Sequence, residues 1–257
     1  MNNLTQAIWV EINKARRAPL PLFALIGFMI VPLISGVFML VFKDPELASR
    51  LGIITSKAYL VGGEFTWPAM FNFLNQAVTT GGIILYSFVG SWVFGREFAD
   101  RTVKDLLALP TGRGAIVLAK FVVILGWSLL ATTLVYLCGL GMGLIVGLPP
   151  LTPELFWPQT AQFALATTLT MVLVTPISFL ASAGRGYLPA LGGAVLAIVM
   201  AQITVVLGWG EYFPWAVPAL LTQGITVGAA SYIVVLVASL LGILGTIGWW
   251  ELADQTG

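Results

Sequence analysis

Long apolar runs separated by short polar stretches dominate the chain. A membrane-crossing helix needs about 20 mostly apolar residues to cover roughly 30 Å of hydrocarbon. Six runs meet that requirement, at about 19–42, 76–94, 115–147, 161–183, 187–207 and 229–250. The pattern predicts an all-α integral membrane protein with six transmembrane helices in a single domain, 1–257. Residues 1–18 read as an amphipathic helix lying in the membrane interface. In it Leu4, Ile8, Ile12 and Ala15 share a face, Glu11 and Lys14 lie elsewhere, and Pro19 ends the segment. The stretch Met1 to Pro19 is too polar for the apolar region of a cleaved signal peptide.

The connections differ in character. In 43–75 the stretch "EFTWPAMFNF" suits an interface, with Trp67 as an amphipathic anchor. Residues 208–228 are apolar yet broken by glycine, Pro214 and Pro218, which predicts a re-entrant or interfacial element. Pro32 and Pro176 are expected kinks in the first and fourth spans. In the third span Gly139, Gly143 and Gly147 recur every fourth residue, a stripe for close helix packing or a dimer seam. The outer end of the second span carries Asn72, Asn75, Gln76, Thr79 and Thr80, and the fifth carries Gln202. Such residues serve either as hydrogen-bonding glue between helices or as a substrate path.

Composition agrees with the span pattern, since 58% of residues are hydrophobic and 9% charged, against about 25% charged in soluble domains. A net charge of +1 gives no reason to expect a nucleic-acid partner. The lone cysteine, Cys138, excludes an intrachain disulfide, and the absence of histidine removes the commonest metal ligand and neutral-pH base. No lysine precedes serine or threonine, so the chain lacks a GxxxxGK[ST] loop for ATP. No acidic or basic residue is expected deep inside the six apolar cores, which argues against ion coupling and for an external energy source.

Charge distribution orients the chain. With a cytoplasmic N-terminus, nine of the twelve basic residues (Lys14, Arg16, Arg17, Arg96, Arg101, Lys104, Arg113, Lys120 and Arg185) fall at inner boundaries, leaving Lys43, Arg50 and Lys57 outside. That is the bias of the positive-inside rule, and it puts both termini in the cytoplasm.

Eight charged residues fall between positions 95 and 120. From Glu97 to Leu109 the spacing predicts one short helix ended by Pro110 and Gly112. Phe98, Thr102, Leu106 and Leu109 form its apolar stripe, with Val103 and Leu107 beside them. Glu97–Arg101 and Asp100–Lys104 are i, i+4 pairs with the acid first, each worth a few tenths of a kcal/mol. Glu97, Asp100 and Asp105 balance Arg96, Arg101 and Lys104, which suits a protein partner better than an anionic lipid surface. A plain interfacial anchor is the alternative reading.

The stretch "EFADRTVKDLLALPTGRGAIVLAKF" resembles the cytoplasmic loop of ABC-2-type transporter permeases through Glu97, Thr102, Leu106, Leu107, Leu109, Pro110, Arg113 and Lys120. It departs at Asp100-Arg101, where that family often has glycine before the threonine. "EINKARRAPL" is similar to the start of the bacitracin-resistance and lantibiotic-immunity branch. The resemblance implies a permease subunit of a bacterial inner-membrane exporter, working as a homodimer or with a similar permease, surrounded by membrane lipids. It also implies two copies of a separate ABC ATPase that would hold ATP and Mg, so that this chain binds no cofactor or metal and is no enzyme. The loop at 96–110 would be the coupling helix, contacting the ATPase through Glu97, Phe98, Asp100, Arg101, Thr102, Lys104, Asp105, Leu106, Leu109, Pro110 and Arg113. The implied cargo is an amphipathic or hydrophobic compound, such as a peptide antibiotic or drug. A non-pumping immunity or binding protein and an ion-coupled secondary transporter are the alternatives.

Overall fold

The computed structural model describes residues 3–44, 46, 50, 63–108 and 110–252. Among these residues all regular structure is helical, and six helical stretches are long and apolar enough to cross a membrane. Helix α1 (Asn3–Arg17) is followed by Ala18 in extended backbone and then by α2 (Pro19–Lys43). A residue before proline is pushed out of helical geometry, while proline itself fits a helix's first turn. Pro32 leaves α2 continuous.

The second span is longer than the apolar run predicts. It comprises α3 (Trp67–Gln76), a π turn (Ala77–Gly81) and α4 (Gly82–Ala99). The Thr66 hydroxyl accepts a hydrogen bond from the Ala69 amide at 3.4 Å, and Pro68 occupies the first turn. The predicted interfacial stretch is therefore the start of a span. Trp67 is no interface anchor: it is buried, and its indole N–H donates to the Pro149 carbonyl at 2.6 Å.

After the short α5 (Val103–Leu107) comes α6 (Arg113–Val146), which ends on Gly147 at φ +80°, a left-handed position that favours glycine. Gly139 and Gly143 face inward. A Cβ at either would fall 2.5 Å from Leu74 or Trp67 respectively, so the stripe seats α3 of the same chain. The fourth span breaks into α7 (Pro153–Val172) and α8 (Val174–Ala183), three residues before Pro176. The proline ring crowds the carbonyl four residues earlier and offers that turn no N–H. The predicted kink thus falls at Leu173.

Then follow α9 (Tyr187–Val206), a 3₁₀ turn (Gly210–Tyr212), α10 (Val217–Thr222) and α11 (Ala229–Leu252). Helix α10 gives the broken apolar stretch its ordered centre, burying Val217, Pro218 and Leu220. Helix α6 packs on α1 and α2, while α8 sits among α4, α9 and α11. At Gly242 the backbones of α8 and α11 nearly touch, since a Cβ there would lie 2.4 Å from the Pro176 nitrogen.

Six alternating spans place the start of α2, the charged loop and the end of α11 at one end of the bundle. This basic end is tied together by Trp250, fully buried, whose indole N–H donates to the Ser182 hydroxyl at 3.1 Å. Its ring meets Phe94 and Phe98 edge-on.

A buried ionic cluster beneath the charged loop

The predicted single helix at 97–109 is two pieces. Helix α4 runs on to Ala99, and its end is closed by two backbone bonds, Arg101 N–H to Phe98 O at 3.2 Å and Thr102 N–H to Glu97 O at 2.9 Å. This pair of bonds needs a left-handed residue at the turn, ordinarily glycine. Arg101 occupies that position at φ +58°. It is the same place where the sequence departs from the glycine of the permease loop it resembles. Helix α5 then begins at Val103, which is buried, while Phe98, Leu106 and Leu107 rest partly buried against the core. Leu109 lies outside the described residues.

The local ion pairs expected along one helix give way to distant ones. Glu97, 3% exposed, leaves the outer face and receives the Lys14 ammonium at 3.0 Å, the Lys120 ammonium at 2.9 Å and the Arg96 guanidinium at 3.5 Å. Its second oxygen accepts from the Thr102 hydroxyl at 2.7 Å. Among the described residues no ion pair joins Asp100 to Lys104. A helix interrupted at Asp100 no longer puts residues four apart on one side.

Glu11 is likewise displaced from its predicted position. It is the only fully buried residue of α1, while Trp9, Val10 and Ile12 are exposed. Its carboxylate takes Lys14 at 3.1 Å on one oxygen, and Lys120 at 3.1 Å and Arg96 at 3.5 Å on the other. Lys120 has no exposed surface, so the third span carries a buried charge near its inner end, which the expectation of uncharged apolar cores did not foresee. Its three N–H groups meet three acceptors: Glu11, Glu97 and the Val93 carbonyl at 3.1 Å. The Arg96 guanidinium also lies over the Trp92 ring, 4.4 Å from its centre.

Two carboxylates thus face three cations drawn from α1, α4 and α6. A charge so buried persists only when paired and hydrogen-bonded. The signals in the sequence were slight: a lysine about two turns into the third span, and a single carboxylate on the amphipathic N-terminal helix. Beside the cluster opens a cleft of about 440 Å³ lined by Lys14, Arg96, Glu97, Asp100, Thr102, Asp105 and Leu106. Arg101, Lys104, Asp105 and Pro110 are exposed on the loop. Arg113 turns elsewhere, donating to the Trp250 and Glu251 carbonyls at 3.1 and 3.3 Å and so capping α11.

The polar residues of the second span separate into two faces. Asn72, Gln76 and Thr80 form an exposed row one turn apart, whereas Asn75 and Thr79 are buried, with the Thr79 hydroxyl donating to the Asn75 carbonyl at 2.8 Å. Gln202 is exposed on α9.

Six apolar spans with a charged, ordered loop anchored at their basic end define a multi-pass membrane protein. Residues 7–202 match the family described as ABC-2 family transporter protein, and the chain belongs to that family. It is a membrane permease subunit of an ABC transporter. The chain is 27% identical to the bacitracin transport permease of Bacillus licheniformis over 180 residues, spanning 67% of this chain and 85% of that protein.

Proposed function

We propose that this chain is the permease of an ATP-driven exporter in a bacterial cytoplasmic membrane, that both termini are cytoplasmic, and that α5 couples it to a separate ABC ATPase. The observation that carries the reading is the way α5 is held: exposed at Lys104 and Asp105, yet fastened through Thr102 to the buried Glu97. A rigidly held helix with exposed charge of both signs transmits force to a docked protein better than a loose loop would. In this reading ATP and Mg are held by the ATPase, with two copies serving two permease chains, and the lack of a phosphate-binding loop in this sequence supports it.

The exposed row Asn72, Gln76 and Thr80, with Gln202, is the substrate path, facing a second copy or a similar permease. Its hydroxyls and amides beside apolar helices suit an amphipathic cargo. The likeness to a bacitracin permease supports a peptide antibiotic.

The test is to co-express the chain with the ABC ATPase encoded nearest to it and purify through a tag on the permease alone. The ATPase should co-purify and hydrolyse ATP. Lys104→Glu combined with Asp105→Lys, both exposed, should remove the ATPase and leave the permease folded; full retention of the ATPase would sink the coupling assignment.

A further inference from the structure

Three of the five charged groups in the cluster lie outside the loop: Glu11 and Lys14 on α1, and Lys120 on α6. We propose that Glu11 is a positioning residue of the permease, through which α1 sets how the loop around α5 is presented to the ATPase. The inference rests on the permease reading above.

An amphipathic helix ordinarily docks by its apolar face. Here the side of α1 turned to the bundle carries its one carboxylate, while Trp9, 66% exposed on the protein, is left to the membrane interface, so the ionic cluster rather than the aromatic side chain ties the helix to the spans. The connection to the loop is continuous. Glu11 Oε2 holds Lys120 Nζ, Lys120 Nζ holds Glu97 Oε1, and Glu97 Oε2 holds Thr102, which opens α5. Lys120 has no spare N–H and no contact with solvent. If α1 moves, the ammonium either loses a partner where nothing replaces it or carries Glu97 along. Buried charges behave as joints with discrete positions because intermediate, half-paired states are costly.

The test uses the complex with the neighbouring ATPase. A Cys138→Ser chain carries Tyr212→Cys, an exposed position beyond α9, as a maleimide reporter. Its labelling rate is measured with and without ATP and Mg. For Glu11→Gln the ATPase should co-purify as before, while the ATP-driven change in rate falls about fivefold or more. Lys120→Met should act in the same direction, and the double variant should fall short of the product of the single effects, because both substitutions remove the Glu11–Lys120 link. Glu11→Asp keeps the charge but shortens its reach; it should stay folded by its melting temperature and still lose response.

An ATP response equal to wild type in Glu11→Gln or Glu11→Asp overturns the proposal, as do single effects that multiply in the double variant. If the wild-type chain retains no ATPase, or its ATPase leaves the reporter unmoved, the coupling proposed for α5 fails and the proposal falls with it.

Discussion

Glu11 and Lys120 stand 109 residues apart in the chain, yet their side chains meet at 3.1 Å where solvent does not reach. The contact fastens the N-terminal helix to the third span and, through Glu97, to the loop that follows the second. Much of the stability at the basic end therefore depends on the count of charges, and that count can be altered one group at a time.

Glu97→Gln leaves three cations facing a single carboxylate, whereas Lys120→Met leaves two of each. Uncompensated buried charge costs about 3–5 kcal/mol when one partner is removed. Glu97→Gln should fall in that range, with Lys120→Met clearly less harmful. Thermal unfolding of the purified permease in detergent gives the comparison, and the reverse order would mean that packing rather than charge balance governs the cluster.

Arg101 holds a left-handed conformation that an L side chain adopts at a cost of about 1–2 kcal/mol. Arg101→Gly should remove that strain, offset partly by the extra freedom of glycine in the unfolded chain. The expected outcome is a melting temperature unchanged or raised, whereas Arg101→Val should lower it. A loss of stability in the glycine variant would indicate that the arginine side chain contributes more than the turn suffers.

Two glycines on α11 should respond oppositely to the same change. At Gly242 a Cβ would press on the backbone of Thr175 and Pro176, which cannot move aside, so Gly242→Ala should cost about 1–3 kcal/mol. Gly248 has nothing within 4 Å of the same position, so Gly248→Ala should be neutral or gain up to about 1 kcal/mol from helix propensity. Equal effects on the unfolding midpoint would refute the close approach of α8 and α11.

Arg113 caps the last span instead of projecting from the loop. Arg113→Gln should lower stability by about 1 kcal/mol, the order of a lost hydrogen bond to helix-end carbonyls. Co-purification of the ATPase should be little affected, and its loss would return Arg113 to the docking surface.

The sequence by itself determined the six spans, the clustering of basic residues at one end, the ordered loop near 100 and the break associated with Pro176. Each follows from short-range rules: an apolar run of sufficient length has few alternatives in lipid, and proline interrupts its own turn. Tertiary structure alone decided which way Glu11 and Glu97 face. Within their own helices both read as solvent-facing, because spacing registers only partners within a turn or two. Their burial depended on cations arriving from distant segments, Lys120 and Arg96 at Glu11 and Lys120 and Lys14 at Glu97, and a carboxylate enters a core only when cations meet it there. The glycines of α6 follow the same logic. Their spacing announced close packing, while the identity of the neighbour, Leu74 and Trp67 of this same chain, emerged only when the helices came together.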